Sequence, residues 1–208
     1  HRLQELIRRV RDAYDSYQFH MVYYTLYNFC TVELSALYLD VLKDRLYTSG
    51  TASQARRSAQ TAMYRILDVM VRLLAPILTF TSEEIWTALP DYEGKEKSVH
   101  LTQFPDVNEK FLNPDLAERW KNMITLRGEI SKAIETARQA KVIGHSLDAA
   151  VDLSVPPKLL NELQGHEEDM RALLIVSQLR FVDRDQLVNP SASEAVEGLL
   201  IGVSKARG

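Results

Sequence analysis

The stretch RLLAPILTFTSEEIW, Arg72–Trp86, ends one helix and starts another within fifteen residues. Just upstream, Val69, Met70, Leu73 and Leu74 repeat at spacings of three and four, which is one face of an α-helix. Pro76 has no backbone N–H and its ring crowds the preceding turn, so that helix is expected to end near Ala75. Thr81 and Glu84 then stand at capping-box spacing. In that motif the Thr81 hydroxyl accepts from the Glu84 N–H, and the Glu84 carboxylate accepts from the Thr81 N–H. A short helix is predicted from there to Pro90, turning Ile85 and Trp86 into a core. The segment offers no nucleophile beside a base, so it reads as a structural corner.

Working outward, residues 1–90 read as four helices. The first carries Leu3, Leu6, Ile7, Val10 and Tyr14 on one face. The second, FHMVYYTLYNFCTVELSALYLDVLKDRLY, runs without Gly or Pro and places Phe19, Val22, Leu26, Phe29, Val32, Leu37 and Val41 near one or two faces. TSGTAS closes it, with Gly50 suited to a left-handed turn and Ser53 to the cap of the third helix. Long helices joined by short loops imply antiparallel neighbours, hence an up-down bundle. Residues 91–112 are charged, carry Gly94 and Pro105, and read as a connector with a short extended piece near Val99–Phe104.

Asn113 before Pro114 starts a long amphipathic helix lined by Leu116, Trp120, Met123, Ile130, Ile134 and Ala137, ending before Gly144. The period then changes to two: Val151, Leu153 and Val155 alternate with Asp152 and Ser154, a half-buried strand. PPKLLNELQ is a short helix ended by Gly165, and LLIVSQLRFVD and GLLIGVSKA are further strands. The fold class is therefore mainly α: an antiparallel bundle over 1–97, a connector over 98–112, and over 113–208 a long helix with a small α/β appendage of about three strands.

Composition narrows the function. The chain has 208 residues and 46% hydrophobic content, enough for one large or two modest cores. A single cysteine, Cys30, excludes an internal disulfide framework and a multi-cysteine zinc site, and is expected to be buried and structural. No apolar run reaches the roughly 20 residues that cross a bilayer, and HRLQELIRRV lacks a signal-peptide core, so a soluble, cytoplasmic protein is expected. A start without Met, in the style of a mid-helix, suggests a piece of a longer protein.

The net charge of -3 argues against a general nucleic-acid binder, but the charge is unevenly placed. Residues 43–72 hold six basic side chains against two acids, a local +4, whereas residues 81–118 hold nine acids against three lysines, a local -6. A basic patch on an acidic protein attracts a polyanion locally; the alternative is an ordinary solvated helix surface.

Catalytic templates are absent: no Gly-rich phosphate loop, no H-E-x-x-H, no G-x-S-x-G and no CxxC pair occurs, and His20, His100, His145 and His166 lack ligand spacing. Recognition is better supported. Residues 14–47 hold nine of seventeen aromatics, most of them expected in the core. KDRLYTSG places Lys43, Arg45 and Tyr47 at a helix end, and Arg56 and Arg57 open the next helix. Basic groups interleaved with an aromatic suit phosphates and splayed bases of an RNA loop.

NFCTVELSALYLDVLKDRLY, ARRSAQTAMYRILD and RLLAPILTFTSEEIW together resemble the bacterial isoleucyl-tRNA synthetases downstream of their catalytic domain, and KVIGHSLDAAV extends the resemblance over essentially the whole chain. RLLAPILTFTSEEIW alone is shared with valyl- and leucyl-type enzymes. The resemblance implies the C-terminal anticodon-binding region of a class I aminoacyl-tRNA synthetase, with isoleucine tRNA as partner, no DNA or membrane contact, and a monomeric state. The parent would use ATP and magnesium to charge the tRNA, while this part is non-catalytic and holds no cofactor. Such enzymes continue after a KARG-like run into a cysteine-rich zinc module, so any zinc is expected beyond residue 208. The resemblance makes Lys43, Arg45, Tyr47, Arg56 and Arg57 the candidate RNA contacts, with Lys141–Ser146 a helix-ending turn or a further contact. A valyl-type anticodon domain and a helical protein-interaction module remain the alternatives.

Overall fold

The computed structural model describes residues 1–206, which form two units, His1–Pro114 and Asp115 onward. The chain is mainly helical with one small four-stranded sheet.

In the first unit, α1 (Arg2–Asp15) buries Leu6, Ile7, Val10 and Ala13, the face its spacing predicts. A tight turn follows, in which the Gln18 N–H donates to Ala13 O at 2.7 Å and Tyr17 adopts a left-handed φ of 55°. The expected long second helix is one helical rod in three parts: α2 (Phe19–Asn28), a π-helical stretch Phe29–Tyr38, and α3 (Leu39–Thr48). At the end of the wide stretch the Leu39 N–H reaches Leu34 O, five residues back. Val22, Leu26 and Phe29 meet the α1 face and Val69, Met70 and Leu73 of α4 (Gln54–Leu74) in one core.

Helix α4 ends at the residue before Ala75, as Pro76 requires. Pro76 cannot donate to Arg72 O, and the Ile77 N–H turns to Leu74 O, so Leu73 O is left without its helical partner; the half-buried Tyr14 hydroxyl donates to it at 2.9 Å. Burial pushes the Tyr14 hydroxyl pKa up to about 12.

The expected capping box does not form. Helix α5 (Thr79–Ala88) starts two residues earlier, and its cap position, Leu78, makes no side-chain bond. Leu78 N donates to Leu74 O and Ser82 N to Leu78 O, so the chain re-enters a helix without the extended cap residue that a capping box needs. Glu83 does the bridging instead, its carboxylate accepting from Ser98 Oγ at 2.8 Å and Val99 N at 3.1 Å. Val99–Leu101 is thereby a 3₁₀ turn rather than an extended piece. Trp86 is 1% exposed, donates from Nε1 to Glu96 O at 2.8 Å, and has the Arg72 and Lys95 cations each 5.6 Å from its ring. It forms a second core with Val71, Ala75, Leu89 and Val99.

Three other local expectations are corrected. Gly50 takes no left-handed conformation, because Ser49 leaves α3 extended and its carbonyl accepts from Arg56 Nη1 at 3.1 Å. Ser53 occupies the cap position of α4 but its hydroxyl makes no cap bond. Cys30 is half-buried against the first core, and burial raises its thiol pKa.

In the second unit, α6 (Pro114–Gln139) buries Leu126, Ile130, Ala133 and Ile134, while Leu116, Trp120 and Ile124 of its first half stay exposed. Lys141, at a left-handed φ of 59°, ends it with the Val142 N–H on Ala137 O. Strand β1 (Ala149–Ser154) shows the predicted alternation in its second half. After α7 (Pro157–Leu163), the run expected as one strand divides into α8 (Glu167–Leu174) and β2 (Gln178–Phe181). Ile175 makes the break at φ 56°. A fourth strand, β3 (Ser191–Ala192), which the sequence pattern does not announce, joins β4 (Leu200–Lys205) to give the order β2-β1-β4-β3. β1 and β2 are parallel and the other pairs antiparallel; Asp152 faces Arg180 in register and accepts from it at 2.7 and 2.9 Å.

Glu129, 6% exposed, anchors this unit. Its carboxylate accepts from Lys132 Nζ, Ser193 Oγ and the N–H groups of Glu194 and Ala195, and these bonds, that from Lys132 foremost, hold its pKa down to about 2.

Two stability outcomes follow from this packing. Trp86→Ala, which empties the second core, is expected to destabilise the chain by about 3–5 kcal/mol, read as a shift in the urea midpoint. The folded state binds the Glu129 proton more weakly than the unfolded chain does. Its stabilisation is therefore complete above the ordinary carboxyl range and is lost as pH falls from about 5 towards about 2. Urea midpoints across that window are expected to fall, and Glu129→Gln to lower the midpoint at neutral pH while flattening the fall.

Candidate nucleic-acid interface

The end of α3 and the start of α4 are joined by five residues, so the five candidate contacts lie at one junction of the first unit, in different environments. Lys43 and Tyr47 are one turn apart and share a face of α3. Lys43 is exposed and held by Asp40 Oδ1 at 2.8 Å, which raises its pKa; the Tyr47 ring is 84% exposed. Arg45 points elsewhere. Burial raises the pKa of the Tyr38 hydroxyl, and the Arg45 charge beside it opposes the rise.

Arg56 and Arg57 separate as well. Arg56 is half-buried by its bond to Ser49 O and clamps the loop between the helices, whereas Arg57 is exposed. Of the other basic residues in this stretch, Arg65 lies 5.0 Å over the Phe111 ring and Arg72 is paired with Asp68 at 2.8 Å. The junction thus presents an ammonium, a guanidinium and a free aromatic face to solvent, groups that bind phosphate and stack on bases.

Among the described residues, no group of three His, Cys, Asp or Glu side chains is placed to hold a metal ion, and no helix is long and apolar enough to cross a membrane. Within KVIGHSL, the carboxylate of Asp148 accepts from the N–H groups of Gly144 and His145, and a Cβ on Gly144 would come within 2.9 Å of it. That segment is a turn ordered by its own hydrogen bonds. The KARG run ends in two residues that lie outside the described ones.

The expectation that most aromatics of residues 14–47 are core is overturned. Tyr17, Phe19, Tyr23, Tyr24, Tyr27 and Tyr47 are each more than half exposed, and only Phe29 of the nine is fully buried. The signal was present in the sequence: Gln18–Val32 contains no Lys, Arg, Asp or Glu, so whichever face of this helix meets solvent must be uncharged.

The model of the family described as the anticodon-binding domain of tRNA ligase matches residues 1–153. An isoleucine–tRNA ligase of Syntrophotalea carbinolica is 49% identical over 208 residues, all of this chain and 22% of the relative. Those of Natranaerobius thermophilus and Geobacter sulfurreducens are 44% and 45% identical, again over all of this chain and 23% and 22% of their own length. The chain therefore spans less than a quarter of the curated relatives it matches, and it belongs to the family of anticodon-binding domains of tRNA ligases.

Proposed function

We propose that this chain is the C-terminal anticodon-binding region of an isoleucine–tRNA ligase, built as an up-down helix bundle, and that it holds the anticodon stem-loop of isoleucine tRNA. The observation that carries the reading is the exposure of Lys43, Tyr47 and Arg57 at one helix junction, inside the stretch matched to the anticodon-binding family. Lys43 and Arg57 contact phosphates, Tyr47 stacks on an unpaired base, Arg45 lies at the edge of the patch, and Arg56 fixes the loop that spaces the two helix ends. This part is non-catalytic and without a cofactor; the rest of the ligase, a cytoplasmic monomer, activates isoleucine with ATP. The isoleucine branch is preferred to a valyl-type enzyme because the named relatives are isoleucine–tRNA ligases.

In the full-length ligase, Lys43→Glu with Arg57→Glu is expected to raise KM for isoleucine tRNA roughly tenfold or more, about 1.4 kcal/mol, at little change in kcat. The logarithmic salt slope of tRNA binding should fall by about 0.7 for each phosphate that the variant no longer neutralises. An unchanged KM would overturn the patch. Arg56→Ala should act through folding instead, costing about 1 kcal/mol in a urea titration because Ser49 O is deprived of its donor.

A further inference from the structure

The connector that ends the first unit is held as a strap. Over residues 104–113 its regular structure is one 3₁₀ turn, Glu109–Phe111, yet it lies along α1 in the opposite chain direction, fastened at each turn of that helix. Phe104 stacks on Tyr14 at 5.1 Å, and Arg11 donates to Pro105 O at 3.1 Å and pairs with Asp106. The Asn108 N–H donates to Gln4 Oε1 at 2.7 Å, Arg8 lies 3.8 Å from Glu109, and the Asn113 N–H donates to His1 Nδ1 at 3.0 Å. His1, Gln4, Arg8, Arg11 and Tyr14 stand at spacings of three and four, so they form a second stripe on α1 beside the face of Leu6, Ile7 and Val10.

Gln4 is the informative member of that stripe. It is 6% exposed on a helix whose other buried residues are apolar, and its Oε1 meets an N–H 104 residues away. Asp106 and Glu109 are largely exposed, and ion pairs of that kind hold weakly by themselves. A buried amide is costly unless its partner is in place, so Gln4 specifies one seating of the strap.

The strap ends at the base of α6. That helix has 26 residues and is about 39 Å long, so a tilt of about 10° at its base moves its far end by about 7 Å. Just past that end Lys141 is exposed and, among the described residues, forms no ion pair, whereas its neighbours Arg138 and His145 are paired with Glu135 and Asp148. Residues 1–153, the region matched to the anticodon-binding family, include the strap, all of α6 and Lys141.

We propose that residues 104–113 are a positioning strap, and that Gln4, with Arg8 and Arg11 beside it, sets how tightly the parent ligase holds its tRNA by fixing the base of α6. An arm fixed before the RNA arrives does not have to be ordered on binding, and releasing the strap restores that cost. The inference rests on the ligase reading for the identity of the RNA and is independent of the patch of Lys43 and Arg57.

Hydrogen exchange and aminoacylation kinetics of the full-length ligase test it together. Gln4→Met keeps the side-chain volume and removes the acceptor. Exchange over residues 104–113 is then expected to rise roughly fivefold or more, and KM for isoleucine tRNA about three- to tenfold, with kcat unchanged. Gln4→Glu keeps an acceptor oxygen and is expected to return both readouts towards those of the unaltered enzyme. Exchange over residues 69–74, in the first core, is the control for folding; Arg11→Ala, nearer the surface, is expected to loosen the strap and raise KM with that control unmoved. Faster strap exchange at an unchanged KM, a fall in kcat at constant KM, or unchanged strap exchange in both Gln4→Met and Arg11→Ala would overturn the proposal. An unaltered ligase that charges no isoleucine tRNA would remove the ligase reading instead, and an unchanged KM in the Lys43→Glu, Arg57→Glu variant would count against the patch alone.

Discussion

The first unit depends on the last two turns of α4. Val69, Met70, Val71 and Leu73 are all buried, which one face of a surface helix cannot achieve. Val69, Met70 and Leu73 serve the core shared with α1 and α2, while Val71 and Ala75 serve the core around Trp86. A helix end enclosed this way must satisfy its own carbonyls, and Pro76 removes a donor there. Tyr14 supplies the missing hydrogen bond from a different helix, so the proline stop and the α1–α4 packing are one feature. The corner that follows can then be short, because Leu74 O carries the chain into α5.

The elements of this architecture were legible because they rest on local chemistry. The α4 stop at Pro76, the opening of α6 at Pro114 and the alternation of β1 each follow from one or two residue types. What was not legible has a common cause in the rod over residues 19–48. A 3.6-residue period carried through it puts Leu37 and Val41 nearest the Val22 and Leu26 face and Leu42 opposite it, yet Leu37 and Val41 are only half-buried and Leu42 is buried. The π-helical stretch turns each residue through a smaller angle, so the faces of α3 are rotated relative to those of α2. Likewise, LLIVSQLRFVD could be divided into helix and strand only by the tertiary contacts of Leu173 and Leu174, since an apolar run does not specify its own period.

The candidate site shows a second limit of sequence. Six basic residues between 43 and 72 look equivalent as a charge count, but the fold assigns them different work. Arg72 is held between Asp68 and Trp86, Arg65 covers Phe111 and Arg56 closes a loop. The acidic stretch after α5 takes part in the same sorting: Asp106 and Glu109 lie against Arg11 and Arg8 of α1. Arg56, Arg65 and Arg72 are thus taken up within the fold, and the effective patch contracts to the exposed groups at the α3–α4 junction, where Lys43 stays exposed beside Asp40 and Arg57 is exposed.

That contraction separates two surfaces on one continuous rod. Its first third, α2, has no Lys, Arg, Asp or Glu among its ten residues, and its last third carries Asp40, Lys43, Asp44 and Arg45 within ten. The two ends are joined by continuous helix, and the wide-wound middle sets the angle between their faces. A change of winding in that middle would turn one surface relative to the other, and it would disturb the first core only where Phe29, Cys30 and Leu34 meet it.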